Sequence, residues 1–367
     1  MKVLHILDSL RRGGAETLAL DVCRNARAAG LELIFAATGG GELADDFQQA
    51  GVEFVRFTRR RPVDLKVVSA LRALVQERGI EVVHTHQAVE ALHAQLATRG
   101  TSVRRVLSFH LCTADAKNRL ALRWLVPRMD ANVAVSRGLL ECLRTRAGFD
   151  TARNFHVIYN GVDAARLAPT GKSLRAELQL PADALVCGMV GNFYADGRKD
   201  QLTVCRALPQ FFAAVPRARF IFVGAHEPAA AEAFAECVRF CRAAGIADRV
   251  QFLGARADIA DVLAALDLFV FSSRRDSFGI AVVEAMLAGV PVVASDIAPL
   301  REVTDDGAHA ALFRTGDAEE LARTLCELAD DTARRTRLGA SGQQWATEQF
   351  SIAVHIARLR ELYGRLV

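Results

Sequence analysis

Short runs of apolar residues alternate with stretches of helical periodicity along almost the whole chain. Apolar runs at 2–7 (KVLHIL), 31–37, 53–57, 80–85, 103–109 and 131–135 predict strands, most of them apolar throughout as buried parallel strands are. Patterns of period 3.6 between them predict helices over 15–29, 42–50, 64–78, 88–98, 117–128 and 137–147. Residues 155–163, FHVIYNGVD, predict a strand closing on an Asn-Gly turn, and the composition turns to loop at 163–172. The same grammar then restarts, with strands at 185–190, 218–224, 249–254 and 309–313 and helices between and after them, the last at 351–365. Its most informative stretch is 266–295, LDLFVFSSRRDSFGIAVVEAMLAGVPVVAS, read as strand, polar loop, helix from about 281 to 289, and strand. Gly289 and Pro291 stop that helix. Alternation of this kind implies an α/β fold with parallel sheets wrapped by helices.

A length of 367 residues suits two domains better than one. The boundaries predicted are an N-terminal Rossmann-like domain at 1–165, a linker at 166–172, a second Rossmann-like domain at 173–347, and a terminal helix at 348–367 returning to the first domain. No run of apolar residues is long enough for a transmembrane helix. The opening MKVLHILDSL reads as a first strand rather than a signal peptide, because Asp8 interrupts a short apolar run. Eight scattered cysteines, with no C-x-x-C pair, read as reduced core residues of a cytosolic protein.

The net charge of +4 is uneven: residues 1–165 carry 23 Lys/Arg against 17 Asp/Glu, and the remainder 23 against 25. The basic half contains RFTRRRP at 56–62 and KNRLALRWLVPR at 117–128, where cations mix with Leu, Trp and Val. Two readings of the second segment stay open: a solvated helix covering a core, or a surface that touches an anionic membrane or acceptor. Low aromatic content and the lack of a recognised module disfavour nucleic acid.

Ligands of open α/β sheets gather at the carboxyl ends of the strands. Polar residues stand there at His84, His86, His110 and Ser136, and His110 precedes a long loop. Gly13-Gly14 follow the first strand, where backbone amides could approach an anion at a helix start, but G-x-G-x-x-G is absent. In the second half, GNFYADGRKD at 191–200 sets Arg198 and Lys199 near a helix start, a good anion site. Glu284 is a carboxylate inside an otherwise apolar helix; it needs donors, either backbone or a ligand such as a ribose diol.

These residues carry a resemblance. The run from Asp276 through Glu284 to Ser295 is similar to the E-x(7)-E signature of retaining glycosyltransferases of family four, which have the GT-B fold of two Rossmann-like domains facing across a cleft. GGAE at 13–16, IEVVHTH, YNGVD and the lysine of GRKD resemble that family in the expected order, over nearly the whole chain. The resemblance implies that Glu284 binds the ribose of a nucleotide sugar and that Asp276 touches hydroxyls of the donor sugar. It places Ser277 and the amides of Phe278, Gly279 and Ile280 near sugar and phosphate, Lys199 on the diphosphate, Arg256 near the base, Gly14 near the diphosphate and His110 near the reacting sugar. Two departures stand out. Asp276 is one methylene shorter than the usual glutamate, which bears on donor choice. Asn192 replaces a usual arginine, with Arg198 as the cation in its stead.

The function so implied is transfer of a hexose-type sugar from a UDP- or GDP-linked donor to an acceptor hydroxyl with retention, in polysaccharide or lipid-linked glycan assembly. His110, Lys199, Arg198 and Asp276 are the implied catalytic group. No D-x-D occurs, so no metal and no cofactor beyond the co-substrate are expected. A cytoplasmic place, peripheral at the inner face of the cell membrane, is the matching expectation. A nucleotide-sugar epimerase of the same fold and a non-catalytic nucleotide-sugar-binding protein are the alternatives. A dinucleotide oxidoreductase is disfavoured by the missing glycine fingerprint.

Overall fold

The computed structural model describes residues 1–112 and 116–367. The side chain of Lys117, a cation of the basic segment, lies outside the described residues. The chain divides into two compact units, Met1–Asp163 with Phe350–Val367, and Ala164–Gln349.

The first unit runs β1 (Lys2–Leu7), α1 (Gly14–Ala26), β2 (Glu32–Ala37), α2 (Ala44–Gln48), β3 (Glu53–Arg56), α3 (Leu65–Arg78), β4 (Val82–Thr85), α4 (Ala88–Ala97), β5 (Arg104–Phe109), α5 (Ala116–Leu125), β6 (Ala131–Ala134), α6 (Arg137–Thr145) and β7 (Phe155–Val157). The second runs α7 (Leu174–Glu177), β8 (Leu185–Val190), α8 (Gln201–Ala214), β9 (Ala218–Val223), α9 (Ala231–Ala243), β10 (Val250–Phe252), α10 (Ile259–Ala264), β11 (Leu268–Phe271), α11 (Ile280–Leu287), β12 (Val292–Ser295), α12 (Ala298–Val303), β13 (Ala311–Phe313), α13 (Ala318–Asp330) and α14 (Thr332–Phe350). Helix α15 (Ile352–Leu366) follows.

Every paired strand is parallel, in the orders β3-β2-β1-β4-β5-β6-β7 and β10-β9-β8-β11-β12-β13. Each order reverses once, between β1 and β4 and between β8 and β11, which is where such sheets open a crevice. Local chemistry sets the helix ends. Ser136 accepts from the Leu139 amide at 2.9 Å to start α6, and Asp200 accepts from Thr203 at 3.2 Å to start α8. Gly79, at φ 61°, closes α3.

Helix α15 lays Ile352, Ile356, Leu359, Leu362 and Tyr363 into the same core as Val3 and Leu7 of β1 and Leu18 and Val22 of α1. The segment expected as a linker is tied to the second unit: Thr170 donates to Asp261 from both its amide and its hydroxyl. The reading of all eight cysteines as reduced is corrected at one pair. Cys112 and Cys142 form a disulfide, with their Cα atoms 5.8 Å apart, because Cys112, just past β5, lies beside Cys142 of α6. Among the described residues, no helix is long and apolar enough to cross a membrane.

Candidate active site

In the second unit, the loops after β8 and β11 leave adjacent strands at the reversal of the sheet order. Backbone joins them: Asp200 donates to the Ser272 carbonyl at 3.0 Å, and Arg274 to that of Arg198 at 2.9 Å. Ser273 Oγ donates to the carbonyl of Arg198 at 2.8 Å. This knitting brings Lys199 and Asp276 into direct contact, Lys199 Nζ donating to Oδ2. Asp276 Oδ1 accepts from the amides of Ser277 at 2.7 Å and Phe278 at 3.2 Å. Burial alone would raise the Asp276 pKa, but the Lys199 charge and these donors hold it below the usual carboxylate range. Asp276 is thus an ionised, pre-oriented acceptor, and Lys199 an ammonium held beside it and over the Phe271 ring at 4.1 Å.

Phe278 amide is therefore claimed by Asp276, while those of Gly279 and Ile280 have no partner among the described residues. Gly279 stands at φ 97° as the N-cap of α11, and a Cβ there would lie 2.5 Å from Leu300 Cδ2. The helix consequently starts at Ile280, and Glu284 lies in its second turn rather than the first. Glu284 has a side-chain donor close by. Arg166 Nη2, from the turn Ala164–Leu167, donates to its Oε1 at 2.6 Å. No periodicity or motif in the sequence points to that arginine.

The other cations are occupied locally. Arg198 Nε donates to both oxygens of Asp196 at 3.0 Å and its guanidinium covers the Tyr194 ring. Arg256 is clamped by Asp258 and Glu177, with contacts of 2.7 Å to each, and these carboxylates raise its pKa. Asn192 Oδ1 accepts from Ala225 at 2.9 Å, so it ties the loops after β8 and β9 together.

In the first unit, Gly13 precedes α1 in extended conformation and no side chain caps that helix, leaving Gly14 exposed at its start. Two glycines unnoticed in the sequence shape this loop: a Cβ on Gly39 would meet the Asp8 carbonyl at 2.1 Å, and one on Gly41 the Leu10 carbonyl carbon at 2.1 Å. Glu90, fully buried in α4, accepts from Thr38 Oγ1 at 2.8 Å; burial and then Asp8 raise its pKa to about 7.

His84 is a structural residue, Nδ1 paired with Tyr363 Oη at 2.5 Å and Nε2 with Ser108 Oγ at 2.7 Å. Ser136 serves as the cap of α6. His110 is half-buried and pairs through Nε2 with His86 Nδ1 at 3.0 Å. Among the described residues His5, His84 and His86 have nitrogens within 4.8 Å of one another, but both of His84's are already engaged.

Two family models match in succession. One, described as Glycosyltransferase Family 4, covers residues 12–166, and one described as Glycosyl transferases group 1 covers 184–331. The chain belongs to glycosyltransferase family 4. This glycosyltransferase is 24% identical over 311 residues to an N-acetyl-alpha-D-glucosaminyl L-malate synthase of Bacillus anthracis, covering 82% of this chain and 79% of that one. It is 30% identical over 309 residues to a D-inositol 3-phosphate glycosyltransferase of Salinispora tropica, covering 80% of this chain and 61% of that relative. The crystal structure of Anabaena HepE in complex with UDP matches the whole of both chains with a TM-score of 0.87 at 24% identity, which shows the GT-B fold. The chain is an enzyme that transfers a glycosyl group from a nucleotide sugar.

Proposed function

We propose that the loops after β8 and β11 hold the donor, a UDP- or GDP-linked hexose. Glu284 takes the ribose hydroxyls, with Arg166 fixing the carboxylate for them. The open amides of Gly279 and Ile280 stand at the positive end of α11 and face the diphosphate. Lys199 neutralises charge on the departing diphosphate, with Arg198 beside it, and Asp276 accepts from hydroxyls of the sugar. The bond from the anomeric carbon to the phosphate oxygen breaks. The acceptor oxygen bonds to that carbon on the vacated face, and its proton passes to the leaving phosphate. Retention follows without an enzyme nucleophile. The Lys199–Asp276 pair carries this reading, because it puts a cation and an ionised acceptor side by side at the sheet reversal.

The acceptor we propose is a hydroxyl of a polysaccharide or lipid-linked glycan, met at the inner face of the cell membrane. Helix α5 supports this: Leu120 and Trp124 are 71% and 43% exposed one turn apart, beside Arg119, Arg123 and Arg128.

A test is transfer from UDP- and GDP-sugars. Glu284→Ala and Lys199→Ala are each expected to lower transfer by at least about 100-fold with the fold retained. Unchanged rates in both sink the assignment. Product analysis with donor alone separates transfer from epimerisation.

A further inference from the structure

Two of the eight cysteines stand apart from the rest. Cys23, Cys187, Cys205, Cys237 and Cys241 are free and buried, and Cys326 is free and half-buried. Cys112 and Cys142 are joined, and both are half-exposed. A thiol in solution therefore reaches this bridge, while the buried thiols are shielded from it.

The bridge joins two segments that are held very differently. Cys142 lies on α6, which starts on the Ser136 cap and buries Leu139 and Leu143. Cys112 follows β5, whose pairing with β6 ends at Phe109 and Ala134. Beyond Phe109, the backbones of His110, Leu111 and Cys112 make no hydrogen bond among the described residues. The Leu111 side chain is 59% exposed and adds little packing. Two contacts fix this segment: the 3.0 Å bond between the rings of His110 and His86, and the disulfide two residues on. The first is a side-chain hydrogen bond that water replaces at small net cost. The second is covalent, and thiols break it. The inner face of the cell membrane, proposed for the acceptor, is a place where thiol reductants make lasting disulfides rare. Those that form there serve redox sensing or catalysis.

We propose that Cys112 and Cys142 form a site of reversible thiol–disulfide exchange that fixes or frees His110, and through it sets the rate of sugar transfer. The co-reactant is a dithiol. One of its thiolates attacks a sulfur of the bridge, forming a mixed disulfide and releasing the other cysteine, which takes a proton. Its second thiolate then attacks the mixed disulfide and releases the second cysteine. Two electrons and two protons pass to the bridge, and the dithiol leaves as a disulfide. With the bridge open, the chain beyond β5 keeps only the His86 contact, and His110 loses its fixed place. The oxidised form is the active one. The proposal rests on the reading of His110 as a contact of the sugar.

The test compares the whole folded enzyme before and after reduction with dithiothreitol. Mass spectrometry after alkylation is expected to find Cys112 and Cys142 labelled only in the reduced enzyme, and the buried cysteines in neither state. Hydrogen exchange, which needs no substrate, is expected to quicken on reduction at residues 110–112 and to stay unchanged over 268–295. The kcat, read as nucleoside diphosphate released from a UDP- or GDP-sugar, is expected to fall by about 10- to 100-fold, the cost of a reacting contact misplaced by about an ångström. It is expected to return on oxidation with glutathione disulfide, with UDP affinity equal in both states. Cys112→Ser with Cys142→Ser is expected to show the low kcat whether or not reductant is present. Thermal unfolding checks that each form is folded at the assay temperature, and if the double variant is not, the reduced wild type carries the comparison. A bridge that dithiothreitol leaves intact in the folded enzyme, or equal exchange at 110–112 in both states, overturns the proposal. So does equal kcat in both states when His110→Ala is impaired. If His110→Ala turns over like wild type, it is the reading of His110 that falls, and the control of transfer with it.

Discussion

Two carboxylates, half-buried Asp276 and fully buried Glu90, show how burial and partners divide the roles of acids. Asp276 is held ionised by Lys199 and two amides. Glu90 has the weaker partner Arg59, at 3.7 Å, and an Oε2 with none. The folded state therefore binds the Glu90 proton more tightly than the unfolded one, raising its pKa from 4.5 to about 7. Its contribution to stability is complete below about 4.5 and is lost as pH rises through about 7. Unfolding free energy should fall between pH 5 and 8 by on the order of 3 kcal/mol from this group, and denaturant titrations of Glu90→Gln should show that slope flattened. Arg166 is the counterpart for Glu284. Arg166→Ala leaves Glu284 buried and without its 2.6 Å donor, so donor KM is expected to rise about 10-fold while kcat changes less, measured by initial rates.

At the scale of elements, strands and long helices were legible because apolar runs and 3.6 periodicity survive in the sequence. The helices α7, α10 and α12, of four to six residues, leave no helical period in the sequence. The motif from Asp276 to Glu284 was legible as a site. Its partners were not: the Arg166 contact spans 118 positions, and the Gly39 and Gly41 contacts depend on the loop they pack against. The Cys112–Cys142 bridge was missed for the same reason, as the two cysteines look alike with the other six. It closes a loop of 30 positions and secures the chain just after His110. Replacing both cysteines by serine should lower stability by about 3 kcal/mol, read from denaturant midpoints, with little effect on donor binding.

For the molecule as a whole, the uneven charge of the sequence finds a structural expression in α5, where arginines flank exposed Leu120 and Trp124. Vesicle co-sedimentation should show binding to anionic lipid that weakens with salt and is reduced several-fold by Leu120→Ser with Trp124→Ser; equal binding to neutral vesicles would count against a charge-guided surface.

The return of α15 to the first unit has a consequence for biosynthesis. Tyr363 bonds to His5 across 358 positions, so the core of the first unit is closed by residues made only after the whole second unit. At about 5–20 residues per second, its nascent sheet waits tens of seconds, with the core around Val3 and Leu7 covered by α1 but not yet by α15, while the second unit is translated and free to fold. The order of synthesis and the order of completion are therefore opposite, and the interval between them is when this chain most needs shielding by a chaperone.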